Sequence, residues 1–163
     1  MKKINLILSL LLLCSSLALF GQNSTNHKLP NQDVSEVNPT PMNSLISLFE
    51  IPATDIFRAI SFYESILDIE IEPVQMPGME MGLFPYEGQI VPGVIMKAEG
   101  LIPSSNGITI YLNAGENLQP ILDKVEKNGG KVLVPKTPHA DESGFFALFL
   151  DSEGNRMGLN SLK

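Results

Sequence analysis

The chain carries one cysteine, two histidines and little basic charge: 11 lysines and arginines stand against 18 acidic residues, a net charge of −7 over 163 residues. Each shortage excludes something. With no basic patch and no run of like charge, the footprint that nucleic-acid binding needs is missing, and the acidity serves solubility. The only cysteine, Cys14, lies in an N-terminal segment expected to be removed, which leaves no thiol for a disulfide or for nucleophilic catalysis. The near-continuous apolar run from Ile4 to Leu13 is too short to span a bilayer.

That run follows Met1-Lys2-Lys3 and leads into small and apolar residues up to Gly21, the layout of a secretory signal peptide. Residues 1–21 are therefore read as a signal, with Gln22 as the mature N-terminus. Its loss would take the net charge to −9, since Lys2 and Lys3 leave with it. The expectation is an exported protein, periplasmic or secreted, with no stable membrane contact after cleavage. The rival reading is lipidation at Cys14, against which Leu13 stands where a small residue is wanted. Residues 22–43, rich in Asn, Ser, Thr, Gln and Pro, read as a flexible linker.

A single domain over 44–163 follows, with a hydrophobic fraction of 44% across the chain that suffices for a core. Leu45 to Ile51 is strand-like and ends at Pro52. Thr54 or Asp55 is a good N-cap, and Ile56, Ala59, Ile60, Tyr63 and Leu67 recur at helical spacing. Three short strands are predicted over Glu70 to Met76, Met79 to Tyr86 and Val91 to Ala98, with glycines between them. After a linker from Gly100 to Asn106 the same order returns. Gly107 to Asn113 alternates Ile108, Ile110 and Leu112 on one face with Thr109, Tyr111 and Asn113 on the other. Leu118 to Asn128 is predicted helical and stops at Gly129-Gly130. Lys131 to Pro135, Phe145 to Asp151 and Arg156 to Ser161 are the last strands. A βαβββ order thus occurs twice, in modules 45–99 and 107–161.

This order, together with Ile51-Pro-Ala-Thr-Asp55, Arg58-Ala-Ile-Ser-Phe-Tyr63, Asn128-Gly-Gly-Lys-Val132 and Phe149-Leu-Asp-Ser-Glu-Gly-Asn155, resembles the vicinal oxygen chelate superfamily. That superfamily includes glyoxalase I, bleomycin-resistance proteins and extradiol dioxygenases. The resemblance implies an α+β fold in which two βαβββ modules form a curved mixed sheet around a pocket, with the helices outside. It also implies a homodimer. Asp151-Ser-Glu-Gly-Asn155 is rich in oxygens, but it lacks the length and the terminal Glu of an EF-hand and reads as a hairpin turn. Phe62 and Tyr63 read as core.

Enzymes of this superfamily usually hold a divalent metal with His, Glu or Gln side chains from both modules, which polarises substrate oxygens. Carried over from Phe62-Tyr63 and from Gly154-Asn155, the usual ligand positions fall on Leu48, near Thr109 and on Gly158. Leu and Gly offer no ligand atom and Thr a poor one. His27 lies in the linker, and His139, beside Asp141 and Glu142, reads as a solvated surface residue. No metal and no cofactor are expected.

Strand parity turns Glu50 to the same side as Leu48, toward the pocket. A carboxylate in an apolar strand needs a partner or a ligand. Two readings stay open: a pocket group, conceivably a general base, or an ion pair with Arg58, Arg156 or a lysine. The same parity brings Tyr111, Asn113 and Asn160, with Arg156, to the pocket as orienting polar groups, and Phe84, Tyr86 and Phe146 as aromatic walls. The expected function is binding of a small organic molecule without a metal. The alternatives are a glyoxalase-like lyase or isomerase (or a dioxygenase-related enzyme) using Glu50, and a drug-sequestering resistance protein. N-terminal sequencing of the exported protein should begin at Gln22; a start at Cys14 would establish the lipoprotein instead.

Overall fold

The computed structural model describes residues 44–163. Residues 1–43, with the expected signal peptide, the linker, Cys14 and His27, lie outside the described residues. Within them, no helix is long and apolar enough to cross a membrane.

The first module runs β1 (Phe49–Pro52), α1 (Ile56–Leu67), β2 (Glu72–Met76), β3 (Met79–Leu83) and β4 (Gly93–Ala98). The second runs β5 (Ile110–Asn113), α2 (Gln119–Val125), a 3₁₀ turn (Glu126–Asn128), β6 (Lys131–Pro138), β7 (Phe145–Leu150) and β8 (Arg156–Ser161). Each module forms its own four-stranded sheet, in the orders β1-β4-β3-β2 and β5-β8-β7-β6. In each, the first strand pairs in parallel with the last and the other pairs are antiparallel. The duplication read from element order is therefore present strand for strand, as two curved mixed sheets that do not close.

Local chemistry accounts for the helices. Asp55 caps α1, its Oδ1 accepting from the Arg58 amide at 3.1 Å, and Asp68 ends it in the left-handed conformation. Ile56, Ala59, Ile60, Phe62, Tyr63 and Ile66 form its buried face. The second helix is shorter than its apolar spacing predicts: past Val125 it tightens into 3₁₀ geometry, and Gly129 closes it at φ 89°. Gly130 follows because nothing larger fits. A Cβ there would stand 2.6 Å from the Leu150 carbonyl oxygen and 2.9 Å from the Phe62 ring.

Both modules share one core. Phe62 of α1 meets Phe149 of β7 at 6.2 Å between ring centroids and stands edge-on to Tyr63 at 5.1 Å. Phe84, expected as a pocket wall, is 9% exposed and packs on Phe49 and Tyr63. Aromatic pairs of this geometry contribute about 0.5–1.5 kcal/mol beyond their burial.

Four expected strands start later, β2 and β4 by two residues each and β1 and β5 by more. Residues 45–48 precede β1, and Gly107 to Thr109 precede β5. Ile108 is therefore not part of the core alternation and is 94% exposed. The reason is Arg156: its amide donates to the Ser104 carbonyl, Nε to Thr109 Oγ1 and Nη2 to the Gly107 carbonyl. These bonds hold the approach to β5 off the ladder.

Polar contacts of the β7–β8 turn bind the modules together. Asp151 is buried, and its Oδ2 accepts from the Tyr63 hydroxyl at 2.7 Å and from Asn155 Nδ2 at 2.9 Å. Its Oδ1 accepts the amides of Glu153 and Asn155, both at 2.9 Å. Asn155 Nδ2 also donates to the Pro52 carbonyl, and Asn155 Oδ1 accepts the Ser104 amide. Burial beside Asp151 raises the Tyr63 hydroxyl well above its ordinary pKa, so it stays a donor. Two residues beyond Asp151, Glu153 accepts from the Thr54 hydroxyl at 2.7 Å, the Thr54 and Asp55 amides, and Arg58 Nε at 2.7 Å. Arg58 is thus committed to Glu153 and not to Glu50. The carboxylates of Asp151 and Glu153 are thus both engaged by donors from within the chain.

Burial acts to raise the Glu153 carboxyl, but the bonds from Arg58, Thr54 and Asp55 outweigh it and bring the pKa from 4.5 to about 2. A carboxylate whose folded pKa is depressed stabilises the fold above its unfolded value, and that contribution disappears as pH falls through the folded value. With Arg58 half exposed and screened, the contribution is on the order of 2 kcal/mol. Urea denaturation of Glu153→Gln should show this loss at pH 7, with the gap to the parent narrowing as pH falls from about 4.5 toward 2. A gap independent of pH would contradict this role for the carboxylate.

Candidate functional site

The inner face of the second sheet collects the polar groups. Residues opposite each other in adjacent strands point to the same side. The register places Tyr111 beside Gly158 and Leu148, and Asn113 beside Asn160 and Phe146. Tyr111, Asn113 and Asn160, expected together from strand parity, do share one cavity of about 750 Å³. Glu116, His139 and Leu162 complete its walls.

His139, set aside from the sequence as a solvated surface residue, is half-buried and stands at this cavity. Its Nε2 lies 2.8 Å from Asn160 Oδ1, and its ring packs on Phe146 at 5.2 Å. The loop brings it inward because His139 and Gly144 close a turn: the His139 amide donates to the Gly144 carbonyl, and the Glu142 amide to the His139 carbonyl. The proximity of Asp141 and Glu142 in sequence obscured this. β6 itself runs to Pro138, three residues past its expected end, which brings His139 next to the strand.

Asn113 Oδ1 accepts the Gly115 amide at 2.9 Å, and its Nδ2 donates to no described residue. With the Nε2–H tautomer of His139, Asn160 likewise keeps its Nδ2 donors. The site thus offers two carboxamide donors and a phenol, arranged for an acceptor such as a carbonyl or carboxylate oxygen.

The other expected residues lie elsewhere. A second cavity of about 590 Å³ shares Tyr111 and Asn113 and is lined by Phe49, Phe84, Ile110 and Leu112, so Phe84 offers it an edge while packing in the core. Glu50 lies on the inner face of the first sheet, opposite Val94, and is exposed. It lines a third cavity of about 360 Å³, with Ile108 and Arg156, at the seam between the modules. Being exposed, it avoids the desolvation cost that its apolar neighbours in sequence imply. Tyr86 lies in the turn after β3, where its carbonyl accepts from the Gln89 amide, and lines none of these cavities. A fourth depression, of about 520 Å³ at the β2–β3 hairpin, has the Lys97–Glu80 ion pair as its main polar feature.

The residues at the superfamily's usual ligand positions do not fit a divalent cation. Leu48 has no donor atom. The Thr109 hydroxyl accepts from Arg156 Nε at 2.8 Å, so a guanidinium already occupies its lone pair and its positive charge opposes a second cation. Gly158 is covered by Tyr111, whose Cδ1 would lie 2.4 Å from a Cβ placed there. Among the described residues no group of three or more His, Cys, Asp or Glu could hold a metal ion.

Comparisons with known proteins agree with this architecture. The family model described as Glyoxalase/Bleomycin resistance protein/Dioxygenase superfamily matches residues 45–159. A glyoxylase-like domain-containing protein from Didymella fabae is 37% identical over 122 residues, covering 70% of this chain and 91% of the relative. Among solved structures, glyoxalase I from Zea mays is similar at a TM-score of 0.58 and 20% identity over 71% of the chain, which spans only 45% of that protein. A glyoxylase/bleomycin resistance protein/dioxygenase domain from Frankia sp. EAN1pec gives 0.58 at 15% identity, covering 72% of this chain and 91% of that one. A genomically encoded fosfomycin resistance protein from Listeria monocytogenes gives 0.54 at 16% identity, covering 72% and 93%.

The Tyr111 contact with Gly158 is open to a double-mutant test. Gly158→Ala should cost about 1 kcal/mol of stability by displacing the ring. In a Tyr111→Ala background the same change should become neutral or stabilising, since alanine outperforms glycine within a strand. Equal losses in both backgrounds, read by chemical denaturation, would show that the ring does not rest on Gly158.

Proposed function

The chain belongs to the Glyoxalase/Bleomycin resistance protein/Dioxygenase superfamily, and on that premise we propose that it is an exported binding domain for a small organic molecule, taken up without a resident metal on the inner face of the second sheet. The observation that carries this reading is the convergence of Tyr111, Asn113, Asn160 and His139 on one cavity of about 750 Å³. That size falls within the range of small-molecule sites, and a few convergent polar groups on an otherwise apolar wall is their usual composition.

The chain's own residues would orient the ligand as follows. Asn113 and Asn160 donate to an oxygen acceptor, His139 holds the Asn160 carboxamide in place from behind, and the Tyr111 ring and Leu162 cover the apolar part of the ligand. The donor set at Leu48, Thr109 and Gly158 supports a site that works without a divalent cation. Export rests on the residues before Gln22.

A second reading, a glyoxalase-like lyase or isomerase with Glu50 as base, has one observation in its favour: Glu50 faces a cavity and pairs with no described residue. It lines a different cavity from Tyr111 and Asn160, so such chemistry would take place at the module seam.

Elemental analysis of the purified protein should find far less than one nickel, zinc, manganese or iron per chain. A stoichiometric metal that survives dialysis would overturn the metal-free reading. Saturation-transfer NMR with a library of small carboxylates and carbonyl compounds should give saturable binders whose signals are lost in Asn160→Leu and kept in Glu50→Gln. Absence of any binder, or binders indifferent to Asn160→Leu, would overturn the cleft.

A further inference from the structure

The seam cavity holds two opposite charges that do not meet. Glu50 and Arg156 both line its 360 Å³, yet Glu50 makes no hydrogen bond or ion pair with any described residue. Arg156 spends Nε on Thr109 Oγ1 and Nη2 on the Gly107 carbonyl, and its Nη1 has no partner among the described residues. Both bonds are to neutral groups, so the guanidinium charge is anchored in position but not neutralised.

The walls are aliphatic. Ile108 lines the cavity at 94% exposure and Ile102 at 77%, while Pro52 and Ile110 form the opposite side. Two isoleucines left in solvent on the connection between modules have no role in the shared core. They line the same cavity as the charged pair and would be covered by an apolar group bound there.

We infer that this seam is a site for a small zwitterion, an α-amino acid with an aliphatic side chain, whose carboxylate meets Arg156, whose ammonium meets Glu50, and whose side chain lies on Ile102 and Ile108. A guanidinium with a free Nη1 suits a carboxylate, which it binds through charge-assisted hydrogen bonds. An acceptor-only carboxylate at neutral pH suits an ammonium. The volume lies within the range of small-molecule sites and admits a ligand of amino-acid size. A ligand carrying only one charge would leave the other protein charge in a partly covered site without its counter-ion. Recognition should therefore require both ends. The inference concerns a different cavity from the cleft of Tyr111 and Asn160 and stands independently of it.

Two-dimensional NMR titration of the purified protein with L-leucine tests it, read at the backbone amides of Gly107 and Ile108 and at the Arg156 Nε–H. Saturable shifts at these groups are expected, with affinity at least tenfold weaker for 4-methylpentanoate, which lacks the ammonium, and for 3-methylbutylamine, which lacks the carboxylate. Glu50→Gln should reduce the leucine affinity at least tenfold while leaving 4-methylpentanoate unchanged. Because the Glu50 side chain is exposed and makes no hydrogen bond or ion pair with a described residue, this variant keeps its fold, whereas Arg156→Gln also loosens the Gly107–Thr109 segment and serves only in support. No saturable response up to the solubility limit of leucine would overturn the proposal, as would equal affinity for the one-charge analogues. Shifts confined to the Asn113 and Asn160 side-chain amides would also overturn it, while leaving the cleft reading intact.

Discussion

The buried carboxylate of Asp151 is the interaction on which the arrangement of the two modules rests. A charge removed from water must be compensated by hydrogen bonds, and here four donors converge on it: the Tyr63 hydroxyl, the Asn155 carboxamide and two turn amides. Tyr63 belongs to the first module and the turn to the second. Asn155 extends the network to the end of β1 through Pro52 and to the connection through Ser104. Glu153 adds the N-terminus of α1. A five-residue hairpin turn thereby touches β1, α1 and the intermodule segment, and sets the distance between the two sheets.

The cavities follow from that spacing. With the turn fastened to β1 and α1, the edges β1 and β5 are held near one another without pairing, and the seam between them opens the cavities lined by Phe49 and Ile110. Arg156 starts the strand that leaves the turn, so its guanidinium is delivered to the seam by the same fastening. There it takes the Thr109 hydroxyl and the Gly107 carbonyl. The position where this superfamily's enzymes place a metal ligand on the last strand is instead a glycine beneath a tyrosine ring.

Much of the architecture was legible in the chain. Asp55 as a cap, Gly129-Gly130 as a stop and the period-2 alternation of β5 and β8 each express a local preference of backbone or side chain, and local preferences survive into the fold. Tyr111, Asn113 and Asn160 could be grouped for the same reason: alternation along a strand is a backbone property, and parallel pairing of β5 with β8 keeps them on one side. Boundaries were less legible. Ile108 continues the apolar alternation of β5, but the Arg156 bonds hold it away from the ladder. The partners of long side chains were least legible of all. Arg58 chose Glu153, 95 residues away, in preference to Glu50, and His139 chose Asn160 in preference to its acidic neighbours in sequence.

The sequence by itself determined the repeat of βαβββ, the family to which the chain belongs, and the absence of ligand atoms at Leu48 and Gly158, because element order and residue identity need no coordinates. Only the tertiary structure decided that Glu50 and Arg156 face one seam while Tyr111, Asn113, Asn160 and His139 face another cavity. Strand parity assigns a side of a sheet, but the relation between sheets is set by the long-range bonds of Asp151, Glu153 and Asn155, whose partners lie up to 103 residues away.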